Sequence, residues 1–180
     1  MRRIHAYLIT FTVLSLLLVG CTYKKVENCS IQTLILDEKH FPQGTHAEEL
    51  FSPVPEEPID SAERSFIYAD DLAFQEVIHW DSAELAKGYF DLRAKSVFDV
   101  DKYMGPWTNP PELDYFSAIA DKYLVACGVD SGIYQCRMIA TYGDYFVFFR
   151  SYVTEQAISI PIFEQLLRTI DGNMTECLGK

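Results

Sequence analysis

The chain has little of what nucleic-acid binding or a familiar catalytic device requires. Fifteen Lys and Arg residues face 26 Asp and Glu residues, a formal charge of −11. A basic surface for phosphates is therefore missing, which argues against nucleic acid as a partner. Histidine is scarce, with four in 180 residues. The motifs G-x-S-x-G, H-E-x-x-H, C-x-x-C and G-x-x-x-x-G-K do not occur, which excludes the short-motif forms of acyl transfer, zinc proteolysis, thiol redox and P-loop chemistry. Ser131 lies in Gly-Val-Asp-Ser-Gly and reads as a hairpin turn, not a nucleophile. No apolar run reaches the roughly 20 residues a spanning helix needs, and no internal repeat is present.

The N-terminus carries the strongest signal. Arg2 and Arg3 precede a thirteen-residue apolar stretch, Tyr7 to Val19, broken only by Thr10, Thr12 and Ser15. That is the length and order of an export signal, and a buried core helix explains it less well. Leu18-Val19-Gly20-Cys21 then resembles the lipobox of bacterial lipoprotein precursors. The resemblance covers residues 1–21. It implies a signal peptide over 1–20, cleavage after Gly20, a diacylglyceryl thioether on Cys21 and acylation of the new N-terminus. Several acyl chains hold a protein to a membrane stably, where one holds it only marginally. The implied partner is thus the lipid membrane, through acylated Cys21. The implied address is the outer face of the cytoplasmic membrane, or the outer membrane where the cell has one. Thr22 resembles the pattern of lipoproteins sent to an outer membrane.

Cleavage leaves 160 residues, enough for one domain with a core. It also removes Arg2 and Arg3, leaving 13 basic residues against 26 acids, or −13. Such a surface does not lie flat on anionic lipid. Lys24 and Lys25 beside the anchor are the exception, either touching headgroups or simply solvated.

Five cysteines are odd in number, and lipidation of Cys21 leaves four: Cys29, Cys127, Cys136 and Cys177. Four cysteines allow three pairings. Counting outward from Ser131-Gly132 as a two-residue turn sets Cys127 opposite Cys136 in a non-hydrogen-bonded pair. The Cα separation there is about 4.5 Å, within disulfide range. Cys29 and Cys177 then pair by elimination, leaving residues 21–28 as a lipidated tether. The seven residues from Thr22 to Asn28 reach at most about 25 Å, so the domain over 29–180 sits close to the membrane.

Along that domain, Ile31 to Leu36 reads as a first strand. Residues 37–64 read as an acidic, proline-containing loop, and 65–69 and 74–80 as two strands. A helix is expected over about 81–98, with Asp81 as N-cap, Glu84 as capping-box partner and Leu85, Tyr89 and Leu92 in its apolar stripe beside Ala86, Phe90 and Val97. After a loop at 99–113, three antiparallel strands follow at 115–128, 133–142 and 145–153. Their register puts Val125, Cys127, Tyr134, Cys136, Met138, Ala140, Val147 and Phe149 on one apolar face. Leu124, Arg137, Ile139, Phe146, Phe148 and Arg150 form a mixed second face, too greasy to be fully exposed. A last helix runs over about 160–171, capped by Ser159, with Pro161 in its first turn and Gly172 ending it. The fold class is α+β, a mostly antiparallel sheet with two main helices, preceded by the cleaved signal helix. The order leaves open whether the helices take one face each. It is similar in shape alone to Mog1/PsbP-type domains.

Candidate chemistry is sparse. His40 and His46 near Glu48 and Glu49 lack the spacing of a strong zinc site. Asp70-Asp71 with Asp60 and Glu63 matches no calcium loop. No cofactor and no metal are therefore expected. His79 reads as packed at a strand end. Trp107, with Tyr103 and Tyr115 near it, is a candidate ligand or partner contact, or else a loop aromatic that caps the core. The functional expectation is a membrane-anchored extracytoplasmic lipoprotein with a non-enzymatic binding or protein-interaction domain, its partner an envelope protein or small ligand. The competing reading is a small extracytoplasmic hydrolase with a dispersed carboxylate site, and a third is a passive envelope component. Mass spectrometry should find lipid on an N-terminal Cys21. An intact, unmodified N-terminus in a cytosolic fraction contradicts this.

Overall fold

The computed structural model describes residues 29–52, 58–68, 71–99, 106–155 and 158–179. The signal peptide, Cys21, the tether, Asp70 and Tyr103 lie outside them. Six strands form one antiparallel sheet: β1 (His46–Ala47), β2 (Asp60–Tyr68), β3 (Asp71–His79), β4 (Lys122–Asp130), β5 (Ile133–Tyr142) and β6 (Tyr145–Tyr152). Their order across the sheet is β1-β2-β3-β6-β5-β4. Helix α1 (Ala83–Val97) joins β3 to β4, and α2 (Ile160–Leu178) follows β6. This is an α+β fold.

The β4–β5 hairpin turns through Ser131 and Gly132, both at positive φ (53° and 83°). A two-residue turn of that kind matches the twist of its flanking strands. The resulting register sets Cys127 opposite Cys136 and Val125 opposite Met138. Alternation then sorts the side chains of β3, β5 and β6 onto two faces, and the helices take one face each. On one face Val77, Met138, Ala140, Val147 and Phe149 pack with Phe163, Leu166, Leu167, Ile170 and Met174 of α2. On the other, Ile78, Trp80, Ile139, Phe146 and Phe148 pack with Ala86, Phe90 and Val97 of α1.

Several expected elements differ. Ile31–Leu34 is a 3-10 turn, not a strand. Residues three apart eclipse in such a turn, so Ile31 and Leu34 are both buried. The chain then continues as a strap over β3. Gln75 fastens it, accepting from Leu36 N–H at 2.8 Å and donating to Leu34 C=O at 3.0 Å. Phe41 stacks on Phe66 at 4.2 Å. The acidic loop ends earlier than expected, because β2 begins at Asp60 and Phe51 bridges to Glu63. Strand β4 begins only at Lys122, since Ser117 Oγ accepts from Ala120 N–H at 3.0 Å and turns the chain just before it.

Helix α1 is capped by Ser82, which accepts from Leu85 N–H at 3.3 Å, and not by Asp81. Its buried residues are Ala86, Phe90 and Val97, while Leu85 and Leu92 are 50% and 65% exposed. The small Ala86 lets the helix approach the sheet, and Phe90 fills the space beyond. Helix α2 runs through Gly172 to Leu178 because Met174 continues its buried stripe. It stops at Gly179, whose φ of 63° is the left-handed conformation that ends helices.

Two disulfides brace this frame. Cys29–Cys177 joins the chain's ends at a Cα separation of 5.3 Å. Cys127–Cys136 crosses the hairpin at 4.0 Å. A polar link also ties α2 to the sheet. Buried Asp171 accepts from Tyr142 Oη at 2.5 Å and from Tyr115 Oη. Burial, reinforced by the Asp171 carboxylate, raises the ionisation of Tyr115, Tyr123 and Tyr142 above the ordinary 10. A raised tyrosine pKa contributes stability that is complete below about pH 10 and lost above it. Unfolding free energy should therefore fall above about pH 10, by roughly 1.4 kcal/mol per pH unit for the buried Tyr142 and by less for the more exposed Tyr115. Tyr142→Phe should make that fall shallower by one proton. An unchanged slope would refute the burial of this hydroxyl.

Candidate functional site

Helix α1 lies over β5 and β6 and, more lightly, over β4. The same side of β2 and β3 has no helix on it among the described residues. Sheet register assembles that surface in two rows. One runs Ser65, Phe74, Arg150, Arg137, and the other Glu63, Glu76, Phe148, Ile139, each from β2 across to β5. Two arginines stand directly opposite each other, an arrangement that destabilises a sheet unless each charge is met.

Arg137 is met on every side. It donates from Nε to Gln135 Oε1 at 3.1 Å and from one terminal nitrogen to the Val97 carbonyl at the end of α1 at 2.7 Å. Its other terminal nitrogen pairs with Asp130. Its guanidinium also lies 4.4 Å from the Trp107 ring centre. Arg93, on α1, reaches down to Glu76 at 3.5 Å and covers Phe148 at 5.4 Å. Burial raises the Glu76 carboxyl, with Arg93 opposing and Glu63 adding to the rise.

Arg150 is different. Its guanidinium lies 5.6 Å from the Phe74 ring centre. No carboxylate pairs with it among the described residues, and its buried Nε has no acceptor. Phe74 itself leans on Phe148, their ring centres 6.0 Å apart. Beside Phe74 is a hollow of about 90 Å³ walled by Glu49, Phe51, Glu63 and Ser65.

Trp107 is held rather than presented. It lies flat against Gly128, where a β-carbon would come within 3.1 Å of Trp107 Cε3 and 3.2 Å of the Pro106 carbonyl oxygen. Its indole N–H donates to the Asp99 carbonyl at 3.3 Å, and Phe98 meets it edge-on at 5.7 Å. Thr108 exchanges both backbone hydrogen bonds with Cys127, at 2.9 and 2.8 Å. That exchange uses the outward groups of Cys127, so the Cys127–Cys136 pair is a non-hydrogen-bonded one. Tyr115 lies elsewhere, against Asp171.

The other candidates remain scattered. His40 Nδ1 accepts from Asp37 N–H at 3.0 Å, and burial, with Lys39 beside it, lowers its pKa. His46 is exposed, 3.5 Å from Glu38. Asp60 accepts from Ser61 N–H at 2.9 Å. His79 stacks on Tyr145 at 4.4 Å and meets Asp144 at 3.3 Å. Among the described residues no three His, Cys, Asp or Glu side chains gather as a metal site. Sequence reasoning placed Arg137 and Arg150 on the mixed face but passed over Phe74, Glu76 and Arg93. The signal was available, since arginines inside apolar strands of an acidic chain need an explanation.

No family model matches the chain, and no curated protein matches it. Among solved structures, the extracellular domain of PknH from Mycobacterium tuberculosis is similar, with a TM-score of 0.52 and 8% identity. The match covers 87% of this chain and 98% of that one. At that identity the likeness is one of fold alone.

Stacking of Trp107 on Gly128 predicts that Gly128→Ala lowers unfolding free energy by about 1–3 kcal/mol, the cost of overpacking, and alters tryptophan emission. An alanine variant as stable as the parent contradicts the close approach.

Proposed function

We propose that this chain is a lipid-tethered, extracytoplasmic binding domain that recognises its partner through the uncovered half of the α1 side. The lipobox-like stretch ending at Cys21 supports the tether. The pairing of the remaining four cysteines into two disulfides supports export, because such bonds persist in oxidising compartments. Among the described residues no helix is long and apolar enough to cross a membrane. The PknH domain of similar fold is an extracellular domain, which agrees with that address.

The observation that carries the binding reading is Arg150. Arg150 is half-buried with its Nε out of water, and a partly desolvated charge with no counter-charge costs stability. In a chain with 26 acids, a carboxylate partner would be easy to supply within the fold. A site left short of an anion is a site ready to receive one. The hydrolytic reading has one observation in its favour, the facing carboxylates Glu63 and Glu76 with the latter raised by burial. Arg93 already engages Glu76 at 3.5 Å, which suits a fixed ion pair better than a proton donor.

In-cell photocrosslinking tests the binding reading. A benzophenone side chain in place of Ser65, on the floor of the open half, should give a discrete adduct. The same group at Leu92, on the outer side of α1, should not. Adducts of equal yield at both positions, or at neither, count against this face as the recognition surface.

A further inference from the structure

Resting on that binding reading, the geometry points to a ligand class: we infer that the shelf of Phe74 and Arg150 takes a small organic anion bearing a flat apolar group. The anion would sit on the Arg150 guanidinium and the flat group on Phe74.

Three features lead there. First, the charge balance across the row is incomplete in one place. Arg137 is neutralised by Asp130, and Arg93 by Glu76, while Arg150 has a ring beneath it and no counter-charge among the described residues. Its neighbour across the strand pair, Arg137, already has its carboxylate in Asp130, so Arg150 is the guanidinium of the row left to meet a negative group. An arginine presents its donors in a planar fork suited to carboxylate, sulfonate or phosphate oxygens. Second, the ground next to that charge is aromatic. Phe74 is half-buried and continues into Phe148, while Phe51 stands 59% exposed at the rim of the adjoining hollow. An apolar shelf of this kind rewards a flat apolar group and gives nothing to a bare inorganic ion. Third, the space is small. The hollow of about 90 Å³ and the reach of one guanidinium suit a small molecule or a single anionic side group, not a broad macromolecular face. The hollow is lined by the acids Glu48, Glu49 and Glu63 against one cation, Arg64, which disfavours a second negative charge, so a single anionic group at one end of the ligand fits best.

Calorimetric titration of the full chain in a non-ionic detergent tests this with naphthalenesulfonate as the probe. Naphthylmethanol serves as the uncharged analogue and sodium sulfate as the anion without a ring. Saturable one-to-one binding of naphthalenesulfonate is expected, with both controls weaker by about tenfold or more. Arg150→Gln should abolish the preference for the charged probe, and Phe74→Ala should weaken both aromatic probes together. Arg150→Met keeps the packing on Phe74, and a thermal unfolding temperature equal to or above the parent's shows that lost binding is not lost folding. Equal affinity for naphthalenesulfonate and naphthylmethanol, unchanged binding by Arg150→Gln, or no binding at all overturns the assignment. In each of those cases a persisting Ser65 adduct in cells leaves the binding domain standing with a different ligand. Its disappearance removes both.

Discussion

The covalent bond between Cys29 and Cys177 is the constraint on which the arrangement depends. It joins the first described residue to the end of α2 across 148 positions. In the chain-entropy model such a closure is worth about 5 kcal/mol. Its geometric effect matters as much. Once Cys29 is held at the end of α2, the segment from Ile31 to Phe41 must run along that side of the sheet, and its apolar side chains join α2's core there. Among the described residues one side of the sheet is therefore covered by a helix and a strap together, and the other by α1 with Trp107 beside it. The uncovered half of β2 and β3 follows from this imbalance. The chain also enters the domain on the α2 side, so the open surface is on the side away from the entry point.

Three buried polar groups collect their partners in full. Asp171 collects two tyrosine hydroxyls, and Arg137 collects an amide, a carbonyl, a carboxylate and a ring. Gln75 spends both ends of its amide on the strap. An unmet buried donor costs about 1–3 kcal/mol, so these satisfied networks keep the fold from losing what burial gains. Arg150, like Arg93, leaves its buried Nε unmet, but unlike Arg93 and Arg137 it has no carboxylate beside it among the described residues, and that contrast singles out the surface around it.

Much of the architecture was legible in the residues, where local signals and tertiary needs agree. From β4 to β6, alternation and two tight turns give both faces and the register down to Cys127 opposite Cys136. Legibility fails where a local signal is ambiguous or overruled. Ile31, Leu34, Ile35 and Leu36 fit a strand as well as a tight helical turn, and only the partner surface decides. Leu85 and Leu92 fit the apolar stripe of α1 as well as Ala86, Phe90 and Val97 do, but the sheet takes the side with the small residue, and Tyr89 at the border packs on Trp80 and Phe146. Gly172 is a local stop that α2 passes through, because Met174 still has a core to enter. In the site, the register alone places Arg137 and Arg150 side by side. That Arg150 meets a ring and no carboxylate among the described residues depends on where α1 ends and where Asp130 reaches, and neither is local. The seat of Trp107 on Gly128 joins a loop to a strand 21 positions away and leaves no mark in either segment's pattern.

The compartment in which the domain folds decides whether its four cysteines can pair. The most direct measurement blocks free thiols in living cells with a membrane-permeant alkylating agent before lysis, then maps cysteine peptides without reduction. The account predicts no alkylation at Cys29, Cys127, Cys136 or Cys177, with the first linked to the last and the middle two to each other. Alkylation of all four in the cell, with the linked peptides absent, would contradict it.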